Sequence, residues 1–159
     1  MRAQDLKPSA PTKQAMPTLL ILYNTKTGNT ERMAQAVEQG AKTIPNVQVT
    51  LTYHATPEDL RKADAMIIGT PTYNHRITLD IQTLLEKAAQ ANVTLKDKTV
   101  ATFGSYGWSG EAPKQALEIL RNKFQANTIE PPILANYTPN ETILQQCKEL
   151  GRKVAETLL

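Results

Sequence analysis

Residues 18–30 have the sequence TLLILYNTKTGNT, in which an apolar run leads through a threonine-rich loop toward a helix. The run 18–23 is almost continuously apolar, as expected for a strand that is buried on both faces of a parallel sheet. A helical pattern follows over residues 29–43, with Met33, Ala34, Val37 and Ala41 on one face. This strand–loop–helix unit predicts an α/β fold.

The rest of the chain alternates between strand and helix patterns in the same way. Pro131 and Pro132 interrupt the last strand pattern and place it at a sheet edge, because proline cannot donate to a ladder. Five β-α units require a parallel sheet with helices on both faces. The further predicted strands cover residues 47–53, 65–69, 98–103 and 129–134, and the further predicted helices cover 57–63, 78–91, 111–124 and 139–158.

Residues 1–17 differ from the rest of the chain in composition. They contain Pro8, Pro11 and Pro17 among small and polar residues and show no periodic apolar pattern. The sequence therefore predicts a flexible N-terminal tail or linker over 1–17, followed by a single domain over 18–159. A domain of this length can bury a full hydrophobic core.

Composition and charge exclude several classes of function. No apolar run approaches the roughly 20 residues of a membrane span, so neither a membrane protein nor a secretory leader is predicted. The one cysteine, Cys147, excludes a disulfide framework, and a reducing cytoplasm is the simplest setting. The net charge of +3 arises from scattered basic residues, so nucleic acid is not an expected partner.

The loop after the first strand carries the pattern T-x-T-G-x-T. Backbone N–H groups at a helix N-terminus bind phosphate with help from the helix dipole, threonine hydroxyls add donors, and glycine lets the backbone approach closely. The pattern is neither G-x-x-x-x-G-K-[ST] nor G-x-G-x-x-G, which argues against a nucleoside triphosphatase and a dinucleotide site. The predicted phosphate-binding residues are Thr25, Lys26, Thr27, Gly28, Asn29 and Thr30.

Two further loops, GTPTYNHR (69–76) and GSYGWSG (104–110), follow the third and fourth strands and hold three of the eight aromatic residues. Trp108 lies between small residues that cannot bury an indole, so a flat ligand is expected to stack on it. The alternatives are that Trp108 folds back into the core and that Tyr73 and Tyr106 only pack their own loops. A phosphate site, aromatic walls and glycine-rich backbone together predict a pocket for flavin mononucleotide (FMN).

The motifs GTPTYN (69–74), FGSYGWSG (103–110) and QQCKELGRKVA (145–155) resemble those of flavodoxins. The resemblance is closer still to the flavodoxin domain of flavodiiron proteins (A-type flavoproteins), and it extends over residues 18–159. It implies a flavodoxin-like three-layer sandwich whose five-stranded parallel sheet has the order 2-1-3-4-5, with FMN as cofactor and electron transfer as function. It also implies that the FMN phosphate binds in the first loop and that the ring is held by Pro71, Thr72, Tyr73, Asn74, Ser105, Tyr106, Gly107, Trp108 and Gly110.

Two departures from the family pattern bear on partners. Flavodiiron proteins carry an additional di-iron domain, whereas this chain has only two histidines and no room for that domain, so di-iron chemistry is not expected of it. Free flavodoxins are usually acidic, whereas this chain is basic. The expected redox partners are therefore acidic, such as a rubredoxin-like or di-iron protein, and the chain is expected to be a monomer or homodimer that serves, or derives from, a flavodiiron-type system.

No catalytic side chain or metal site is predicted. Cys147 falls on the apolar face of the last helix, and His54 is expected to be a loop residue rather than a general base. His75 is expected to lack a paired carboxylate or nucleophile. A phospho-receiver is excluded, because Asn24-Thr25 and Gly69-Thr70 stand where its acidic cluster would be. The alternative to an electron carrier is an FMN-dependent NAD(P)H:quinone or small-molecule oxidoreductase.

Overall fold

The computed structural model describes residues 16–159, so the predicted tail lies outside the described residues except for Met16 and Pro17. The described residues form strands and helices in alternation. The strands are β1 (Thr18–Tyr23), β2 (Gln48–Thr52), β3 (Ala65–Gly69), β4 (Thr99–Tyr106), β5 (Asn127–Thr128) and β6 (Ile133–Asn136). The helices are α1 (Asn29–Ala41), α2 (Pro57–Lys62), α3 (Leu79–Gln90), α4 (Ala112–Phe124) and α5 (Glu141–Glu156).

The strands form one parallel sheet in the order β2-β1-β3-β4-β5, with β6 also paired to β4. This order confirms the predicted α/β sandwich of order 2-1-3-4-5. The carboxyl ends of β1, β3 and β4 lie side by side at one edge of the sheet. Ligands of doubly wound sheets bind at this edge.

The fourth and fifth strands differ from the prediction. The fifth is split into β5 and β6, which pair with opposite ends of β4, and Pro131 and Pro132 lie between them. β4 extends three residues beyond the predicted end at Phe103, because β6 offers partners as far as Tyr106. Residues 104–106, which were expected to belong to a loop, are therefore held in the sheet.

The sheet is covered by one hydrophobic cluster on each face. Residues of α2, α3 and α4 pack on one face, and residues of α1 and α5 pack on the other. Cys147 lies in the second cluster with no exposed surface, and burial raises the pKa of its thiol to about 12. The expectation that Cys147 is a core residue is confirmed.

Helices α1 and α5 approach each other closely at two glycines. A Cβ atom on Gly151 would lie 1.9 Å from the carbonyl oxygen of Val37, and one on Gly40 would lie 1.8 Å from that of Lys148. Only glycine allows this backbone contact, which holds α5 against the helix that begins at the first loop. Within residues 16–159, none of the helices combines the length and the apolar character needed to cross a membrane.

Candidate functional site

Three loops meet around a cavity of about 510 Å³ at the carboxyl edge of the sheet. The first loop (24–28) follows β1, the second loop (70–78) follows β3, and the third loop (107–111) follows β4. Most of the residues predicted from sequence line this cavity, and Tyr137, which was not predicted, also lines it. The lining residues are Lys26, Thr27, Asn29, Pro71, Thr72, Tyr73, Asn74, Ser105, Tyr106, Gly107, Trp108 and Tyr137.

The first loop leaves the N-terminus of α1 without a side-chain cap. Gly28 is the N-cap residue, with a left-handed φ of 89°, and open space surrounds the position that a Cβ would take. By contrast, Thr56, Thr78 and Asn140 cap their helices with side-chain oxygens. The first N–H groups of α1 are thus available to an anion, as the phosphate prediction requires.

Two threonines of the first loop make hydrogen bonds within the protein. The hydroxyl oxygen of Thr25 accepts from the N–H of Gly28 at 2.9 Å, which folds the loop back on itself. Thr30 is almost fully buried, and its hydroxyl lies 3.0 Å from that of Ser105 on β4. Thr27 and Lys26 are exposed and line the cavity. Direct phosphate contacts of Thr25, Gly28 and Thr30 stay a prediction.

The second loop contains a two-residue turn. Asn74 and His75 have φ values of 53° and 64°, and Tyr73 and Arg76 exchange backbone hydrogen bonds across them. Two consecutive positive φ values are the signature of a type I′ turn. The turn holds Tyr73 at the cavity, where the ammonium of Lys26 lies 4.7 Å from the centre of its ring. Partial burial of Tyr73 raises the pKa of its hydroxyl.

Trp108 in the third loop is 86% exposed, so it does not fold back into the core. An exposed indole that lines a cavity offers a flat surface to a ring. The ring of Tyr106 packs beside Gly110: a Cβ atom on Gly110 would lie 3.0 Å from this ring. Gly110 therefore makes room for Tyr106, and its own contact with a cofactor stays a prediction.

Glycine is also needed where the second loop crosses β4. A Cβ atom on Gly104 would lie 1.9 Å from the carbonyl oxygen of Thr70. The N–H of Thr72 donates to the carbonyl of Ser105, and the Thr72 hydroxyl accepts from the N–H of Ala112. These contacts fix the second loop against β4 and the start of α4.

Side chains at the start of α4 hold the second loop to the third. Gln115 donates to the carbonyl of His75 at 2.7 Å and accepts from the N–H of Ile77. The Nδ1 atom of His75 lies 2.9 Å from a carboxylate oxygen of Glu111. The expectation that His75 lacks a paired carboxylate is therefore wrong. Glu111 lies 36 positions after His75 in the sequence, so no local pattern indicated the pair.

Tyr137 was missed because only the ends of the first, third and fourth strands were considered. It follows β6 directly, with a positive φ of 59° and a hydrogen bond from its N–H to the carbonyl of Tyr106. A Cβ on Gly107 would lie 3.2 Å from its ring. The position directly after the last strand is the signal that would have found it.

A second cavity, of about 560 Å³, adjoins the first on the side of α3. The two share Lys26, Tyr73 and Asn74. Arg76, the exposed Leu79 and Asp80 also line the second cavity. Within residues 16–159, no group of three potential ligand side chains is placed to hold a metal ion.

The fold and the site together define a doubly wound domain with a cavity at the carboxyl edge of its sheet. The sequence profile of the flavodoxin family matches residues 21–151. The type A flavoprotein fprA of Rhodobacter capsulatus is 34% identical over 147 residues, which are 89% of this chain and 33% of that protein. The anaerobic nitric oxide reductase flavorubredoxin of Escherichia coli is 30% identical over 146 residues, which are 86% of this chain and 29% of that protein.

A solved flavodoxin from the domain Archaea superposes with a TM-score of 0.79 at 30% identity, covering 89% of this chain and 98% of that one. The chain belongs to the flavodoxin family. It is an FMN-binding domain of the electron-transfer type found in A-type flavoproteins, and these comparisons do not favour the quinone-reductase alternative. The chain spans about a third of the length of the curated relatives it matches.

The residues at the site fit FMN. The uncapped end of α1 and the nearby Lys26 suit a phosphate dianion, and the exposed indole of Trp108 suits an isoalloxazine ring. Gly28 leaves open space in front of α1, and Gly104 lets the carbonyl of Thr70 approach β4 closely, which sets the position of the second loop.

Proposed function

We propose that the cavity between the three loops holds one FMN, with its phosphate at the first loop and its ring between the second and third loops. The phosphate-binding group is Thr25 to Thr30, with the backbone of α1 as its centre. Pro71 to Asn74 and Ser105 to Gly110 supply the ring contacts. The observation that carries the proposal is that loops distant in sequence bring the predicted residues to one cavity.

We propose further that the chain passes electrons between this FMN and acidic redox proteins, such as a rubredoxin-like or di-iron partner. FMN supplies the redox chemistry when bound. The protein binds it, orients it and sets the surrounding charge. The high exposure of Trp108 supports a cofactor edge at the protein surface, within reach of a partner protein.

The charges beside the cavity favour an acidic partner. Lys26 and Arg76 are exposed, and neither forms an ion pair within residues 16–159. Both line the second cavity, where Asp80 is the one acidic residue among the described lining residues, so the net charge of these residues is positive. A positive surface attracts an acidic partner, and such docking weakens as salt rises. A reducing cytoplasm is the proposed setting, and a monomer or homodimer is the proposed oligomeric state.

Comparing FMN with riboflavin tests the phosphate assignment. Replacing Thr27 by alanine removes an exposed hydroxyl that lines the cavity. Because hydrogen bonds to charged groups contribute about 1.5–3 kcal/mol, we expect FMN binding to weaken roughly ten- to a hundredfold and riboflavin binding to be nearly unchanged. Isothermal titration calorimetry of both ligands gives the two dissociation constants.

The matched control is Thr50→Ala, since Thr50 is an exposed threonine on β2 outside the cavity. This variant should bind both ligands as the wild type does. Equal weakening of FMN and riboflavin in Thr27→Ala would show that the first loop does not hold the phosphate.

A further inference from the structure

His75 connects the second loop to the third through its side chain. Its Nδ1 atom lies 2.9 Å from Oε2 of Glu111 and 2.9 Å from the hydroxyl of Ser109. Its ring also lies against Trp108, with 5.1 Å between the ring centres and 57° between the planes. The imidazole of His75 thus contacts Trp108, Ser109 and Glu111, all of which belong to the third loop.

The backbone of His75 is held without help from its side chain. Gln115 donates to its carbonyl, and the turn between Tyr73 and Arg76 fixes its left-handed φ of 64°. Asparagine tolerates this conformation better than most residues. His75→Asn is therefore a variant that removes the imidazole and keeps the turn.

Glu111 presents a negative charge to the imidazole. Hydrogen bonds from Ser109 and from His75 lower the pKa of the Glu111 carboxyl, so it is ionised at neutral pH. Its Oε1 atom is shielded from solvent and has no hydrogen-bond partner within residues 16–159, whereas Oε2 faces His75. A carboxylate with one shielded oxygen gains from a cation at the other.

Three other charged side chains lie near His75. Arg76 is its neighbour in the chain, and Glu86 of α3 and Lys123 of α4 line the cavity on the far side of the second loop. These three side chains carry both signs, and none of them is paired with His75. Glu111 is thus the acid in direct contact with the imidazole.

We propose that His75 is a positioning residue of the flavin site, whose ring ties the second loop to the third and holds Trp108 at the cavity. The consequence for flavin binding rests on the proposed function, because it requires Trp108 to contact the flavin ring. The tie consists of the hydrogen bonding of the imidazole to Glu111 and Ser109, together with its contact with the indole.

The fluorescence of the apoprotein tests the contact itself. Trp108 is the only tryptophan of the chain, so tryptophan emission reports on it alone. We expect the fluorescence anisotropy of Trp108 to fall in His75→Asn, because the indole loses the ring that it lies against. Glu111→Gln should lower the anisotropy less, because the imidazole keeps its bond to Ser109.

The matched control is His54→Asn, because His54 is the only other histidine of the chain and does not line the cavity. This variant should keep the anisotropy of the wild type. An unchanged anisotropy in His75→Asn, or an equal fall in both variants, overturns the proposal.

Flavin affinity tests the positioning role. Riboflavin is the better ligand here, because it carries the ring without the phosphate. We expect His75→Asn to bind riboflavin about two- to fivefold more weakly than the wild type, the range of an exposed polar contact. His54→Asn should bind riboflavin as the wild type does. An affinity that His75→Asn keeps overturns this proposal alone, whereas a wild type that binds neither FMN nor riboflavin overturns the proposed function and this inference together.

Discussion

Replacing Trp108 by alanine should weaken flavin binding through loss of the ring contact. The indole is 86% exposed, so a bound ring has nearly a whole face to cover. A tryptophan buries about 150–250 Å² when fully enclosed, and one covered face is about 100 Å². At about 25 cal/mol per Å² this area contributes about 2.5 kcal/mol. Ordering of the side chain offsets part of it, and stacked aromatic contacts are worth about 1–3 kcal/mol.

The dissociation constant should therefore rise about five- to 150-fold, and by the same factor for FMN and riboflavin because both carry the ring. Calorimetry measures the two constants, and Trp108→Phe should recover part of the affinity. In the wild type, flavin should also quench the emission of Trp108. The matched control is Leu79→Ala, since Leu79 is 74% exposed but does not line the 510 Å³ cavity. Unchanged affinity in Trp108→Ala, or equal losses in both variants, would refute the stacking argument.

Two further predictions concern charge and helix packing. Arg76→Glu should lower the potential of the second one-electron reduction of bound FMN by roughly 20–40 mV in a spectroelectrochemical titration. A cation near the site favours the anionic reduced flavin, and a screened surface charge contributes about 0.5–1 kcal/mol. Lys96→Glu, the same charge change before β4 at the opposite edge of the sheet, should leave the potential unaltered, and equal shifts in both variants would contradict a local effect. Gly151→Ala should reduce the free energy of unfolding in urea by about 1–3 kcal/mol, because the new Cβ would lie 1.9 Å from the carbonyl oxygen of Val37. Gln145→Ala on the exposed side of α5 should change the free energy of unfolding little. A Gly151→Ala protein as stable as this control would show that α1 and α5 can move apart to admit a Cβ without loss of stability.

The parts of the fold that depend on local sequence were predictable. The apolar run of β1 and the glycine before α1 act through neighbouring residues, and Thr56 and Pro57 mark the start of α2 in the same way. The extension of β4 to Tyr106 was not predictable, because it depends on pairing with β6, about thirty residues further along the chain.

The candidate site shows the same division. The sequence placed Thr27, Tyr73 and Trp108 at the carboxyl edge of the sheet, because each follows a recognisable strand. It could not show that the hydroxyls of Thr30 and Ser105 share a hydrogen bond, or that His75 contacts Glu111, because these contacts join separate segments of the chain. Such pairs follow from the packed sheet rather than from a motif.

The most direct test of the proposed site is an NMR titration of the apoprotein with FMN and, separately, with riboflavin, following the backbone amide resonances. The account predicts saturation at one FMN per chain, with shifts concentrated at residues 24–30, 70–76 and 105–111. Riboflavin should shift the second and third groups and leave 24–30 nearly unaltered. Shifts centred elsewhere on the domain, or a first loop that responds equally to both ligands, would contradict the proposed FMN site.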